Sequence, residues 1–223
     1  MRAGEGAGSG VMTGSREDFL ATARSAVGLL GEPAVGDAWS GPSALAEFSV
    51  AGLAGHLAYQ ILAVREALSG PAPEEPVISL LEHYGRVVWI GADLDDEINV
   101  RIRRGGEQVA AEGRAALLAR MDAAVEALAA ELVSTADRPV RIPLWGPWSL
   151  SLDDLLVTRM MELAVHCDDL AVSVGLEAPA LTPGAVDTVI GLLARLAVRR
   201  HGATSVLRAL SRAERAPATI AAF

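Results

Sequence analysis

The sequence is poor in several residue types that define common protein classes. Its 223 residues include no lysine, one cysteine and nine aromatic side chains. The single cysteine, Cys167, excludes an internal disulfide framework and favours a reducing compartment. No apolar run reaches the roughly 18 residues that a membrane span requires, and residues 1–14 lack the apolar stretch of a signal peptide. These absences predict a cytoplasmic protein.

The charge balance excludes two further classes of partner. Arginine supplies all 19 basic residues against 28 acidic residues, which gives a formal net charge of −9. No arginine-rich run provides the electrostatic footprint of a nucleic-acid or anionic-membrane surface. Apolar residues make up 51% of the chain, enough for a sizeable core, so global disorder is excluded as well. We therefore expect a globular protein that binds neither nucleic acid nor membrane.

Helix-forming residues dominate the composition. Helical spacing of apolar residues, with Ser15, Ser49, Ser151 and Thr182 as N-cap candidates, predicts six helices. They cover residues 15–30, 49–70, 77–104, 113–132, 151–174 and 182–200. Residues 31–48 are predicted as a loop. Alternating apolar residues within 137–150 predict a short extended arm or hairpin.

This pattern predicts an all-α fold, a four-helix bundle with additional helices packed against it. We expect a flexible leader at residues 1–14, one helical bundle domain at residues 15–202 and a C-terminal tail at residues 203–223. The tail is expected to hold a short helix near residues 206–212. At this length it is too short to form an independent domain.

Four ionisable residues share one stripe of the fifth predicted helix. Each residue turns a helix by about 100°, so Arg159, Glu162, His166 and Asp169 lie on one side of an otherwise apolar helix. A Glu and a His one turn apart can direct two ligands at one divalent cation. Metal sites in helical bundles combine such pairs with a ligand from a facing helix. Asp169 is placed to orient His166.

Four histidines are available as ligands. His56 lies among apolar residues in the middle of the second helix and needs a partner there. His83 could face solvent, and His201 follows a helix C-terminus. His56 is therefore the best candidate for a third ligand beside Glu162 and His166. Two histidines and a carboxylate favour Zn²⁺, with other divalent metals left open, and leave a coordination position for water or substrate.

The same residues also fit a bundle without a metal site, because Glu–His pairs at this spacing occur on ordinary helix surfaces. In that case Glu162 and His166 face solvent, and the bundle serves only interaction. Cys167 points about 100° away from His166 and is expected to be buried and inert. Trp145 and Trp148, just before the helix, either wall a pocket or cover the core.

The motifs resemble the N-terminal domain of mycothiol-dependent maleylpyruvate isomerases, which belongs to the DinB-like superfamily of metal-binding four-helix bundles. The segments that carry the resemblance are Ser49-Val-Ala-Gly-Leu-Ala-Gly-His56-Leu-Ala, Arg159-x-x-Glu162-x-x-x-His166-x-x-Asp169-Leu-Ala-x-x-x-Gly175 and, in the tail, Leu207-Arg-Ala-Leu-Ser-Arg-Ala-Glu-Arg-Ala-Pro. The resemblance covers about residues 15–223. It implies a DinB-like bundle.

The resemblance also implies a site and a chemistry. The metal ligands fall on His56, Glu162 and His166, and Arg86 is assigned to bind a carboxylate or a group of the thiol cofactor. The implied cofactors are a divalent metal, Zn²⁺ first, and mycothiol or a similar low-molecular-weight thiol, acting on a small electrophilic substrate.

The reaction itself is left open. The characterised isomerases carry a C-terminal α/β domain that this sequence does not show, so cis–trans isomerase and thiol S-transferase are both kept as expectations. A non-catalytic, metal-stabilised binding or regulatory module is the alternative to an enzyme. A homodimer is also left open.

Overall fold

The computed structural model describes residues 14–223, and residues 1–13 of the predicted leader lie outside the described residues. The helices are α1 (Gly14–Gly31), α2 (Pro33–Asp37), α3 (Val50–Ser69), α4 (Leu80–Tyr84), α5 (Glu97–Ala110), α6 (Arg114–Glu131), α7 (Leu152–Ser173), α8 (Pro183–His201) and α9 (Ala203–Ser211). A 3-10 turn, Ala213–Arg215, follows α9. Strands β1 (Pro139–Val140) and β2 (Leu150–Ser151) form an antiparallel hairpin.

Three helices begin at the capping residues that the sequence predicts, Ser49, Ser151 and Thr182. Each side-chain oxygen accepts a hydrogen bond from the backbone N–H three residues later. Such a cap contributes about 1 kcal/mol, because it satisfies a donor that the helix itself leaves unpaired. Gly175 follows the end of α7 with a φ of +72°, the left-handed conformation of a glycine C-cap. Local sequence signals therefore set both ends of α7.

Helices α1, α3, α6 and α7 surround the main core, with α8 packed on α1 and α7 and with α5 packed on α3. Phe19, Leu57, Met121 and Leu152 contribute one fully buried side chain from each of the four central helices. Burial of each such side chain stabilises the fold by about 1.5–3 kcal/mol. The predicted all-α, DinB-like bundle is confirmed. None of the helices within residues 14–223 is long and apolar enough to cross a membrane.

The third predicted helix, over residues 77–104, is wrong. The structure has the short α4, a loop at residues 85–96 and then α5. Within the loop, Gly91 has a φ of +79°, and the backbone N–H of Asp93 donates to the carboxylate of Asp96. Side-chain bonds of this kind offer the backbone an alternative to helical hydrogen bonds. Local turn chemistry therefore overrides the apolar spacing on which the prediction rested.

Helix α5 also runs through the glycine pair at which the sequence predicts a helix end. Gly106 lies where α5 crosses α3, and a Cβ there would meet the carbonyl oxygen of Gly52. A Cβ on Gly55 would meet the carbonyl oxygen of Gly106 in turn. Glycine disfavours a helix interior by about 1 kcal/mol, but it lets the two backbones approach closely. Packing on α3 therefore keeps α5 helical and places it beside the segment that carries His56.

The extended arm predicted within residues 137–150 is the short hairpin of β1 and β2. Val140 pairs with Leu150, and the connection between the strands carries Trp145 and Trp148. Because β2 leads directly into α7, the hairpin places Trp145 beside the stripe of ionisable residues, with the guanidinium carbon of Arg159 5.9 Å from its ring centroid. The structure differs from the predictions in two smaller ways. Helix α2 lies within the predicted loop of residues 31–48. The tail helix α9 begins earlier than predicted and packs against α8.

Candidate metal site

His56, Glu162 and His166 converge where α3 packs against α7. His56 lies in the middle of α3, and the other two lie one turn apart on α7. Oε2 of Glu162 lies 3.2 Å from Nε2 of His166 and 3.9 Å from Nε2 of His56. One ligand atom from each residue lies within 4.8 Å of the others. The structure therefore brings the three predicted ligands into one cluster that could hold a metal ion.

The donor set of this cluster fits a divalent cation. Two imidazole nitrogens and a carboxylate oxygen are ligands that Zn²⁺ takes in sites with an open coordination position. The side chains of the three residues are 14–15% exposed, so the cluster is shielded but not sealed. The solvent-facing surface pair considered in the sequence analysis does not match this arrangement, because both members of the pair face His56 in the bundle.

Asp169 lies behind His166, as predicted. Its Oδ2 lies 2.9 Å from Nδ1 of His166, one turn further along α7. An Nδ1–H that donates to this carboxylate leaves the lone pair of the imidazole on Nε2, the nitrogen that faces Glu162. Carboxylates in this position orient metal-binding histidines and increase their basicity. The contact thus keeps a proton on Nδ1 and leaves Nε2 as the nitrogen that a metal would bind in place of its proton.

Burial and mutual contacts shift the pKa values of the cluster in opposite directions. Burial lowers the pKa of His56 and outweighs the contact with Glu162. Burial alone would lower the pKa of His166 and raise that of Glu162. The hydrogen bonds that protonated His166 donates to the carboxylates of Asp169 and Glu162 instead raise the pKa of His166 to about 9, and the two histidines hold the pKa of Glu162 well below its usual range. The cluster therefore presents one carboxylate between two imidazoles.

Arg159, the fourth member of the predicted stripe, lies on the cavity side of α7 and is 7% exposed. Its Nη1 donates to Oε1 of Gln60 at 2.6 Å and its Nε donates to Oγ1 of Thr158 at 3.0 Å. The guanidinium carbon lies 5.9 Å from the ring centroid of Trp145. The side-chain amide nitrogen of Gln60 also lies 3.2 Å from Nε2 of His56. A polar chain therefore connects Arg159 to the metal cluster through Gln60.

A cavity of about 790 Å³ adjoins the cluster. Its walls come mainly from α3 and the segment before it, from α5 and α7, and from the loop after α4 and the hairpin connection, and they are mostly apolar. Examples are Phe48, Trp89, Ile102 and Trp145. The volume lies in the range of cavities that take small ligands, and a few polar groups among apolar walls are typical of such sites. The metal cluster thus faces a space large enough for a small organic molecule.

Arg86, which the resemblance assigns to ligand binding, lies elsewhere. It is exposed, its guanidinium carbon lies 5.7 Å from the ring centroid of Trp148, and it is not among the residues that line the cavity. Its role stays a prediction. Of the two tryptophans considered in the sequence analysis, Trp145 lines the cavity, whereas Trp148 is buried in a small cluster beside Leu150.

His83 does not face solvent. It is 2% exposed, and its Nδ1 accepts a hydrogen bond of 3.1 Å from Nε1 of Trp148. The ring centroid of Trp145 lies 4.5 Å from that of His83. Burial and the charge of Arg159 lower the pKa of His83 to about 4, so the imidazole is neutral. The hairpin tryptophans, which are distant in sequence, supply this environment.

Cys167 is buried as expected. It is not among the cavity-lining residues, and burial raises the pKa of its thiol to about 12. Sequence reasoning missed Gln60, which is one turn after His56 on α3, and the wall supplied by α5. The spacing of His56 and Gln60 could have indicated the first. The second depends on the misassigned helix of residues 77–104.

Comparison with known protein families identifies the family of the chain. Residues 20–171 match the family model described as the mycothiol maleylpyruvate isomerase N-terminal domain. The chain belongs to this family. The matched segment contains His56, Glu162, His166 and Asp169, so the cluster lies within the part of the chain that defines membership of the maleylpyruvate isomerase N-terminal domain family. No curated protein and no solved structure matches the chain.

Proposed function

We propose that the protein is a metal-dependent enzyme that uses a low-molecular-weight thiol, with mycothiol as the first candidate, to act on a small electrophile. The reaction is either S-transfer or cis–trans isomerisation. The observation that carries the proposal is the His56–Glu162–His166 cluster facing a 790 Å³ cavity. Membership of a family named for a mycothiol-dependent isomerase supports the choice of thiol.

Each residue of the cluster has its own role in the proposed site. His56 and His166 present Nε2, Glu162 presents its carboxylate, and Asp169 holds the proton on Nδ1 of His166. A bound divalent metal, with Zn²⁺ as the expected ion, supplies Lewis acidity that lowers the pKa of a thiol or polarises a carbonyl. The apolar walls around Phe48 and Trp145 exclude water from the reacting groups, which strengthens electrostatic interactions there.

The position and protonation state of the chain's own cysteine support the proposal of an external thiol. Cys167, the single cysteine, lies off the cavity, and a pKa of about 12 keeps it protonated near neutral pH. The thiolate is the nucleophilic form of sulfur. Sulfur chemistry in this cavity therefore has to use a thiol from solution rather than one from the protein.

Consumption of the thiol distinguishes an S-transferase from an isomerase. Turnover of either kind distinguishes an enzyme from a non-catalytic module. Zinc-loaded protein is incubated with mycothiol and maleylpyruvate, or with mycothiol and monobromobimane, while free thiol and substrate are followed. An isomerase converts the cis isomer with constant thiol, and a transferase consumes thiol together with the electrophile. Glu162→Gln, which removes the carboxylate ligand, is expected to abolish either activity.

A negative result has a defined meaning. If zinc-loaded protein turns over neither substrate faster than Glu162→Gln does, and metal removal only lowers the melting temperature, the enzyme proposal is contradicted. The cluster then serves a metal-stabilised binding or regulatory module.

A further inference from the structure

Arg159 is a buried cation without an acidic partner. It is 7% exposed, and its two hydrogen bonds to protein go to the neutral oxygens of Gln60 and Thr158. Among the described residues it forms no ion pair with Asp or Glu, although one turn separates it from Glu162. Glu162 acts on the guanidinium only through space, and a buried charge without a contacting counter-ion is costly. The fold therefore retains an arrangement that is unfavourable without a further anion.

Arg16 shows how the same fold treats an arginine with a structural role. It is 6% exposed, and its Nε lies 2.6 Å from Oδ1 of Asp153. Its Nη1 also donates to the carbonyl oxygens of Leu132 and Thr135. The two buried arginines thus differ in their counter-ions. Arg16 pairs with a carboxylate of the chain, whereas Arg159 has no such partner and faces the cavity.

The charges of the side chains that line the cavity also favour an anionic ligand. The lining residues include four arginines and two acids, namely Arg101, Arg103, Arg120, Arg159, Glu162 and Asp169. Both acids already contact His166. The cavity of a chain with a net charge of −9 is therefore lined by more cationic than anionic side chains. A concave site with this charge concentrates anionic ligands.

We propose that Arg159 binds the carboxylate of the electrophilic substrate, whose apolar body lies against the aromatic and aliphatic walls of the same cavity. This inference rests on the proposed function and names its substrate class. Nη2 of Arg159 makes no hydrogen bond to the described protein residues, so the terminal edge of the guanidinium is available. That edge matches the two oxygens of a carboxylate. Arg159 positions the substrate beside the metal cluster.

Ligand binding to metal-free protein tests the proposal without requiring activity. Protein treated with chelator is titrated calorimetrically with octanoate and with octanamide, which share an apolar chain but differ in charge. Metal-free protein is used because a carboxylate could otherwise bind the metal. Arg159→Gln is compared with Arg104→Gln, which removes an exposed charge next to the cavity wall, and with Arg86→Gln, which tests the assignment implied by the family resemblance.

Wild-type protein is expected to bind octanoate at least about tenfold more tightly than octanamide, a difference of about 1.4 kcal/mol. In Arg159→Gln the ratio is expected to fall to about one with octanamide affinity preserved, whereas Arg104→Gln and Arg86→Gln keep the ratio. Arg159→Lys keeps the charge but loses the fork and is expected to give an intermediate ratio. Circular dichroism checks that each variant is folded.

Three results would overturn the proposal. Equal binding of octanoate and octanamide by wild-type protein would do so without any variant. Loss of discrimination in Arg86→Gln but not in Arg159→Gln would move the carboxylate to Arg86. Glutathione, a thiol that carries carboxylates, tests the other source of the anion: if Arg159→Gln weakens glutathione and leaves octanoate unchanged, the anion belongs to the thiol. Failure of metal binding would contradict the proposed function and leave these binding results interpretable.

Discussion

Nδ1 of His166 lies 2.9 Å from Oδ2 of Asp169, on the side of the imidazole that faces away from Glu162. This relationship gives α7 a carboxylate–imidazole–carboxylate order along one stripe. It means that Asp169 acts on the proposed metal through His166 and does not itself belong to the ligand cluster.

Replacing Asp169 with Asn is therefore expected to weaken metal binding while the protein stays folded. The amide keeps the size of the side chain but removes the charge that orients His166, and loss of such a partner typically costs about 10–100-fold in metal affinity. Asp168→Asn is the matched control, because Asp168 is the exposed neighbour. Competition with a chromogenic zinc chelator measures both. Equal affinity in the two variants would contradict the role given to Asp169.

The two buried arginines predict stability effects of different size. Arg16→Met removes the partner of Asp153 and two hydrogen bonds to carbonyl groups, and it is expected to cost about 3 kcal/mol. Arg159→Met removes a buried charge that has no acidic partner and is expected to change the free energy of unfolding by less than about 1 kcal/mol or to raise it. Urea unfolding of metal-free protein measures both, and a larger loss for Arg159→Met would show that its charge stabilises the fold.

Two adjacent glycines of α5 test the crossing with α3. A Cβ on Gly106 would meet the backbone of α3, and Gly106→Ala is expected to destabilise the protein by about 1–3 kcal/mol through overpacking. Gly105 has no atom within 4 Å of an added Cβ, so Gly105→Ala is expected to be neutral or to stabilise by up to about 1 kcal/mol. Thermal unfolding compares them. Similar effects of the two substitutions would contradict the close approach of the helices.

His83 predicts a loss of stability on acidification. Its pKa is 6.5 when exposed and about 4 in the folded protein, so the unfolded chain takes up the proton first as the pH falls. The stability that neutral His83 contributes is present above about pH 6.5 and is lost between there and pH 4, up to about 3 kcal/mol. Arg159 and Glu162 are the charged groups that act on it, lowering and raising the pKa respectively.

The measurement is the free energy of unfolding of wild-type protein and His83→Gln at pH 7, 5.5 and 4. The wild-type curve is expected to fall more steeply across this range, because the other titrating groups are common to both proteins. Parallel curves would mean that His83 is not held neutral by the fold.

Sequence signals predicted the parts of the structure that depend on neighbouring residues. The N-caps Ser49, Ser151 and Thr182 and the C-terminal Gly175 fixed the bounds of α3, α7 and α8 to within a residue or two. The stripe from Arg159 to Asp169 was predictable because helical periodicity alone places these residues on one side of α7.

The parts that depend on long-range packing were not predictable in this way. The pairing of Gly106 with Gly55 keeps α5 helical across a position where local propensity predicts an end. His83 packs against Trp145 and Trp148, which come from the hairpin more than 60 residues later. Arg86 was assigned by family resemblance alone; it is not among the residues that line the cavity, and its role stays a prediction.

The metal content of protein purified without a histidine tag tests the proposal that His56, Glu162 and His166 hold a divalent metal. Elemental mass spectrometry is applied to wild-type protein, to His166→Ala and to His201→Ala as a histidine outside the cluster. We expect close to one equivalent of zinc or another divalent metal in wild-type protein and His201→Ala, and almost none in His166→Ala. Wild-type protein that contains no metal after reconstitution, or metal that persists in His166→Ala, would contradict the proposal.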